Sequence, residues 1–554
     1  MKVTFVSLGQ EQLAIGLLSA VLKREGHTTS LAFHPALFDY DGFLDIPPLA
    51  RALDTTERVV QQVVDEQPDL VAFSVLTAAY QWSLYVATRI KEQLDVPVIF
   101  GGVHPSAVPA VCLEQSCVDY VCVGEGETAL VELCAQLPLA TATDRPTAPI
   151  PNLWWRDGDR IVEGPAAPFL ADLDSLPHWD KTLWEPHVRL ADQWMTMSSR
   201  GCPYRCTFCF NNFFAKIPGR GGGKYLRQRS VDHMMSELVD AKATYGIRRI
   251  DFEDDIFTVD KQWLQTFLAE YRREINLPFQ CLVHPRFVDD DIARWLKDAG
   301  CEHVQMGVQS VDETYKRQQL LRMESDAHTR SALASLSRAN LDLKLDHMLG
   351  LPNEPISAQE LARELYTEFP PRRIQTFWLV HLPGVELTTS SVGTNELSVD
   401  EYERLIRGEA RKYHAEKSDR SAEAATYRKY ELLFRMLTVL PRFLQRRLRV
   451  ERLPALPPTL NHAVGLGFEA ANALRYRDRE TLNYVRYYLH HLPRLVRLAV
   501  RDRLRAVRHR QPLPTRVTVG STGMSPSAPP VARNNAAIPS TTVELRPGPT
   551  GGGD

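Results

Sequence analysis

No run of 18 or more apolar residues occurs in the 554-residue chain, so no bilayer-crossing helix is predicted. The sequence also lacks the cysteine pairing of a disulfide framework. Its nine Cys are an odd number, and six are scattered as Cys112, Cys117, Cys122, Cys134, Cys281 and Cys301, which suits a reducing compartment. Met1-Lys2 runs directly into the strand-like Val3-Thr4-Phe5-Val6-Ser7-Leu8 with no signal-peptide pattern, so the expected location is cytoplasmic. Excess charge is missing too. The net charge of −3 excludes nucleic-acid binding driven by the charge of the whole chain. What remains is an ordinary globular composition, 44% hydrophobic and 24% charged, in a chain too long for one core. Two or three domains are expected.

The other three Cys stand together, in Ser199-Arg200-Gly201-Cys202-Pro203-Tyr204-Arg205-Cys206-Thr207-Phe208-Cys209-Phe210-Asn211. The spacing is C-x3-C-x2-C. Three thiolates on one short loop suffice for three irons of a cubane cluster and leave the fourth iron open, whereas electron-carrying clusters normally use four Cys. Gly201, Pro203 and Asn211-Asn212 suit a tight non-helical loop. Two plainer readings stand beside this one. Part of a zinc site is one, although no fourth Cys or His lies within a few residues. Ordinary buried thiols are the other.

Organisation along the chain predicts an α/β protein. Residues 1–140 alternate short apolar strands (Val3–Leu8, Leu70–Ser74, Val98–Phe100, Tyr120–Val123) with helices at Leu13–Lys23 and Trp82–Gln93, the pattern of a doubly wound, Rossmann-like parallel sheet. Ligands in such sheets bind at the carboxyl ends of the strands, where Gly101-Gly102 and Gly124-Glu125-Gly126-Glu127 lie. Tight turns are the plain reading of those glycines. Residues 141–193 are read as a linker with one hairpin near Asp157-Gly158. Strands expected at Met195–Ser198, Arg249–Phe252, Phe279–Val283, His303–Val308, Leu343–Met348 and Phe377–Val380, with helices between them, predict a partial (β/α)6 barrel over 194–390. Barrel chemistry sits at the C-terminal strand ends, and the cysteine loop follows the first strand. Residues 391–510 are expected to be helical, and 511–554, rich in Pro, Ser, Thr and Gly, disordered. Between 441 and 510 there are sixteen Arg, no Lys and five acidic residues. On a helix from Pro493 to Arg510, Arg494, Arg497, Arg501, Arg505 and Arg508 share a face. That face suits a peripheral membrane contact, an anionic-substrate surface or the solvated side of a helix bundle.

The cysteine run resembles the signature of radical S-adenosylmethionine (SAM) enzymes, in which an aromatic residue before the third Cys lies near SAM; here it is Phe208. The first domain resembles the cobalamin-binding module that precedes one subgroup of those enzymes. The matching stretches are Pro68–Ser74, Pro97–Pro105 and Val118–Glu127. One departure matters: the loop Leu8-Gly9-Gln10-Glu11-Gln12-Leu13 has no D-x-H-x-x-G motif, so the resemblance implies cobalamin bound base-off, with no His ligand.

The resemblance implies a 4Fe–4S cluster on Cys202, Cys206 and Cys209, with S-adenosyl-L-methionine chelating the open iron. The implied SAM contacts are Phe208, Glu253, Asp254 and Asp255 after the second strand, Arg286 after the third, Gln309 and Ser310 after the fourth, and Gly350 and Pro352 after the fifth. A hard-metal site or a solvated turn is an alternative for the four acids of Asp251–Asp255, and Arg286 has a plain surface reading. The implied cobalamin contacts are Ser74, Val75, Thr77, Gly101, Gly102, His104, Gly124, Glu125, Gly126 and Glu127. The chemistry implied is reductive cleavage of SAM, hydrogen abstraction from an unactivated position of a small, natural-product-like substrate, and methyl transfer from cobalamin. The electron donor would be flavodoxin or ferredoxin. Oxidative cyclisation or rearrangement without methyl transfer is the runner-up, and a non-catalytic cobalamin sensor is the remote alternative. Tyr204, Cys281 and His284, near strand ends, are candidate radical quenchers or proton acceptors, each with a structural role as the plainer reading.

Overall fold

The structure is a computed structural model that describes residues 1–39, 44, 46–137, 146, 148–217, 223–394, 396–409, 421–476 and 478–509. The expected disordered tail at 511–554 lies outside the described residues, as do the side chains of Arg505 and Arg508. No helix among the described residues is long and apolar enough to cross a membrane.

The first sheet has seven strands: β1 (Lys2–Leu8), β2 (Thr28–His34), β3 (Leu70–Ser74), β4 (Val98–Gly101), β5 (Tyr120–Cys122), β6 (Leu153–Asp157) and β7 (Arg160–Glu163). Their order is β2-β1-β3-β4-β5-β6-β7. Strands β1 to β5 are mutually parallel, and the hairpin β6–β7 continues the sheet antiparallel from β5. The hairpin anticipated at Asp157-Gly158 is therefore part of the first sheet. Alternate residues feed two apolar clusters. Val3, Phe5, Ala72 and Ile99 enter one, and Val6, Val71, Phe73, Val98 and Phe100 enter the other. Burial on both faces explains why these strands are near-continuous apolar runs. The order 2-1-3-4-5 puts a topological switch between β1 and β3, where a ligand crevice is expected.

The second sheet is six parallel strands in the order β15-β14-β13-β12-β11-β8. They are β8 (Trp194–Thr196), β11 (Ile250–Phe252), β12 (Phe279–Val283), β13 (Cys301–Gln309), β14 (Asp342–Leu349) and β15 (Arg373–Trp378). A short antiparallel ribbon, β9 (Ser199–Arg200) with β10 (Arg227–Gln228), stands between β8 and the cysteine loop. Helices with side-chain caps alternate with the strands. Ser230, Asp260 and Asp289 each accept a backbone N–H at a helix start, and Gly246 ends the first of these helices in the left-handed conformation.

The C-terminal region is helical, and its last helix spans Arg479–His509. It was expected to begin at Pro493; instead Pro493 lies inside it. Proline removes one helical hydrogen bond. Contacts on both sides hold this helix together: Tyr487 and His491 before or near the proline and Leu495 after it all pack inward.

Candidate functional site

The cysteine loop leaves β9 through Gly201, whose φ is +88°. A Cβ there would stand 2.4 Å from the Tyr225 carbonyl oxygen, so only glycine permits this approach of loop to ribbon. The middle of the loop is pinned. Thr207 donates its N–H to Leu320 O (3.1 Å) and its hydroxyl to Gln319 O (2.8 Å), and its carbonyl accepts from Leu387 N (2.8 Å). Cys206 is buried, and Cys202 and Cys209 are half-buried. Burial pushes the Cys202 thiol up to about 12 and the Cys206 thiol to about 11, a cost that metal coordination reverses. Asn211 sits at the loop's end with every side-chain group engaged. Its Nδ2 lies 3.7 Å from Cys209 Sγ and donates to Asp255 Oδ1 (2.8 Å), and its Oδ1 accepts the Tyr225 hydroxyl (2.5 Å). Beneath Cys206 the Arg322 guanidinium is buried, donating to Glu324 (2.8 Å) and to Gly307 O (2.8 Å). Lys316 and His284 lie 3.4 and 3.5 Å from the same carboxylate. Burial opposes ionisation of Glu324, but His284, Arg322 and Lys316 hold it well below the usual range. Among the described residues no three His, Cys, Asp or Glu side chains converge on one ion position. Thiolates that each take a different iron need no such convergence.

The three acids after β11 separate. Asp254 is fully buried and accepts from Ser198 N, Ser198 Oγ and Ser199 Oγ at 2.5–3.0 Å. Asp255 is exposed beside Asn211, and desolvation by the surrounding protein raises its carboxyl. Glu253 is half-buried. Arg286 is exposed in the turn after β12, beside His284, on which Tyr204 stacks at 4.3 Å. Gln309 adopts φ +64° at a register shift of β13, and Ser310 is fully buried. Phe208 packs with Leu351 and Met348, beside Gly350 and Pro352 at the end of β14. Cys281 is fully buried.

At the edge of the first sheet, Gly102 has φ +101°, and a Cβ there would lie 2.8 Å from Val75 N. The ends of β3 and β4 are thereby interlocked: Val75 N donates to Gly101 O (2.7 Å) and His104 N to Val75 O (3.2 Å). Gly124 N donates to Ser106 Oγ (3.0 Å). Ser74 and Thr77 flank Leu76, which is 52% exposed. His34 and His104 are both buried. His34 meets Asp54 (3.2 Å), and His104 lies against Tyr80 (ring centroids 4.2 Å apart) and Thr77 (3.2 Å). Glu125 and Glu127 follow at the end of β5. They hold Arg200 and Arg227 of the β9–β10 ribbon, with Arg200–Glu125 at 3.1 Å and Arg227–Glu125 at 2.7 Å.

The sequence matches the B12 binding domain over residues 5–134 and the Radical SAM superfamily over residues 196–365. It is a B12-binding radical SAM protein. The chain is 26% identical to an uncharacterized methyltransferase, PH0819, of Pyrococcus horikoshii, over 47% of this chain and 56% of that protein. It is 24% identical to the anaerobic magnesium-protoporphyrin IX monomethyl ester cyclase of Cereibacter sphaeroides, over 64% of this chain and 55% of that one. The chain thus spans a little over half the length of these curated relatives. Its fold is that of the radical SAM methyltransferase TsrM from Kitasatospora setae, whose structure carries cobalamin and a [4Fe-4S] cluster. That likeness has a TM-score of 0.56 at 18% identity and covers 71% of this chain and 78% of TsrM.

In the B12 domain, then, the glycines and the backbone of Val75 line the strand ends, His104 packs on Tyr80, and Glu125 and Glu127 pair with the arginines of the ribbon. His104 is covered by Tyr80, and burial lowers its pKa to about 4. In the radical SAM domain, Asp254 fastens Ser198 and Ser199. Tyr225 and Arg322 went unnoticed in the sequence, and Asn211 was read only as a loop residue. Asn211 alone carried a signal, two positions after the last Cys. A cavity of about 740 Å³ lined by Lys297, His303, Arg372 and Tyr476 opens at the N-terminal strand ends, opposite the cysteines, the face of a barrel that serves stability.

Proposed function

We propose that this protein is a cobalamin-dependent radical SAM methyltransferase acting on an unactivated carbon or phosphorus centre of a small-molecule substrate. The observation that supports it is a loop of three cysteines, with no fourth, at the C-terminal edge of the six-stranded sheet and joined by ion pairs to the B12 domain. The donor set fits the cofactors. Three thiols suit a cluster with one open iron. The interlocked, glycine-lined edge at Gly102 admits close backbone approach. His34 packs against Asp54 and His104 against Tyr80 and Thr77, which supports cobalamin bound base-off without a His ligand.

Loaded with cluster, SAM and cobalamin, such a site supplies radical hydrogen abstraction and methyl transfer. The chain's own residues hold and orient. The Arg322 guanidinium offsets thiolate charge at Cys206 and Cys202. Asn211 orients Asp255 and meets Cys209 Sγ. Arg286, with its exposed planar fork, suits a carboxylate, and Phe208, Glu253, Asp255, Gln309, Ser310, Gly350 and Pro352 line the remaining SAM contacts of this proposal. Ser74, Val75, Thr77, Gly101, Gly102, Gly124 and Gly126 line the cobalamin edge. Flavodoxin or ferredoxin is the electron donor proposed. The outward Arg494, Arg497 and Arg501 are proposed as a peripheral membrane contact. Similarity to the cyclase favours one second reading, oxidative cyclisation without methyl transfer.

Anaerobic reconstitution with iron, sulfide and hydroxocobalamin tests the assignment. About four irons per chain and one cobalamin without imidazole coupling in its EPR spectrum are expected. Turnover should add one methylene to the product mass; an oxidised product without that gain would favour cyclisation, and a chain retaining neither cofactor would refute both readings.

A further inference from the structure

Four side chains join the two sheets beside the cysteines. Glu125 and Glu127 follow Gly124 at the end of β5, and Arg200 and Arg227 are cross-strand partners on β9 and β10. Both Glu125 oxygens are engaged: Oε1 by Arg200 (3.1 Å) and Arg227 (2.7 Å), and Oε2 by Arg227 (3.1 Å) and the Leu170 N–H (3.0 Å). Glu127 takes the other end of the Arg200 fork. Arg227 is held further by Leu170 O (2.9 Å) and the Phe169 ring (4.9 Å). Side-chain exposures run from 5% for Arg227 to 21% for Arg200, so two acids balance two bases with little help from water. Removing one partner leaves a charge buried and unpaired.

The consequence lies in where the arginines sit. Arg200 precedes Gly201 and Cys202, and Gly201 is already pressed against Tyr225. Arg227 stands two residues after Tyr225, whose hydroxyl reaches Asn211 just past Cys209. The ribbon thus frames both ends of the cysteine loop, and the first domain grips the ribbon.

We propose that Glu125, with Glu127, is a positioning residue for the cluster: docking of the B12 domain fixes the β9–β10 ribbon and through it the three-cysteine loop. This rests on the reading of the site as a cluster and cobalamin centre, but part of its test needs neither cofactor. In cofactor-free, full-length protein, Glu125→Gln with Glu127→Gln should raise deuterium uptake over residues 199–209 and leave residues 70–77 unchanged. In reconstituted protein the same pair should release iron to a chelator roughly tenfold faster, as expected for lost charge-assisted hydrogen bonds, with cobalamin retained. Unchanged uptake and iron release would overturn the proposal. Cobalamin lost with iron intact would also overturn it, by returning the two acids to the cobalamin site. Uptake raised along the whole chain would overturn it by showing general loosening. Should the double variant fail to fold, Glu127→Gln alone, which leaves Glu125 bridging both arginines, should move uptake and iron release the same way by less. A parent protein that takes up no iron or cobalamin would refute the function proposed above, with the exchange result on cofactor-free protein still deciding the clamp.

Discussion

Asp254 and Asp255 are neighbours in sequence with opposite fates, because two residues past a strand end the chain turns and successive side chains part company. Asp254 goes inward to three donor groups of Ser198 and Ser199, and Asp255 goes outward to Asn211. A run of acids shows that carboxylates gather at a strand end; which one is sealed depends on serines more than fifty positions away. The cysteines were legible because three ligands must be local to serve one loop, while Arg322 and Glu324 carry no local pattern. The buried role of Glu354 was hidden in the same way. It is buried, accepts from Gln359 Nε2 (2.7 Å), and Gln359 in turn meets His347 (2.8 Å). Burial raises the Glu354 carboxyl from 4.5 to about 7, against a hydrogen bond from Ser310. A folded-state value above the unfolded one means that the folded protein binds this proton more tightly. The associated stability is complete below about pH 4.5 and is lost as pH rises through about 7. Its size is on the order of 3 kcal/mol. Glu354→Gln, which mimics the protonated acid, should melt with the parent at pH 5 and above it at pH 8. An equal difference at both values would show that Glu354 does not titrate in this window.

Elements were legible to the degree that they are buried on both faces. The strand Phe279–Val283 was located to the residue, and β13 and β14 extend the expected strands by one or two residues at each end. One strand was missed and one misplaced. β2 opens Thr28-Thr29-Ser30, polar residues at the exposed edge of the sheet, and only its second half is buried. β15 was expected at Phe377–Val380 but occupies Arg373–Trp378, because as an edge strand it pairs with β14 through half-buried Arg373 and Gln375, and polarity hid its start. The β9–β10 ribbon, two residues on each strand, is too short to leave a periodic signal. Its importance shows at Gly201. Alanine there would take φ +88° at a cost of about 1–3 kcal/mol and would place its Cβ 2.4 Å from Tyr225 O. Gly158, with φ +61° and nothing within 4 Å of an added Cβ, suffers the first penalty without the second. Gly201→Ala should therefore lose most iron on reconstitution, while Gly158→Ala keeps it. Full iron in Gly201→Ala would show that the loop tolerates displacement of the ribbon.

At the scale of the whole molecule the last helix is a strap. The Tyr487 hydroxyl lies 2.5 Å from Gly9 O and 3.0 Å from Pro35 O, at the ends of β1 and β2. The Tyr488 hydroxyl accepts from Leu44 N (3.2 Å), His491 meets His187 O (2.8 Å), and Leu495 packs on Leu37 and Phe38. The inward face is aromatic, so a sequence reading centred on arginines saw only the other side. Exposed Leu482, Val485 and Leu489 and the outward arginines all belong to that opposite side. Gly9 opens the loop at the switch between β1 and β3, where a ligand crevice belongs, and Glu11 of the same loop is tied to buried Lys181. The strap thus braces the β1 loop beside the expected crevice, while the cysteine loop is fastened through Thr207, Arg200 and Asn211. Tyr487→Phe removes one hydrogen bond, worth about 1 kcal/mol, and leaves the ring in place. It should speed cobalamin dissociation roughly fivefold while iron release stays at the parent rate, both followed in the same reconstituted sample by absorbance. Equal cobalamin dissociation would mean that the β1 loop keeps its shape without the strap, and faster iron release instead would mean that the strap acts on the barrel.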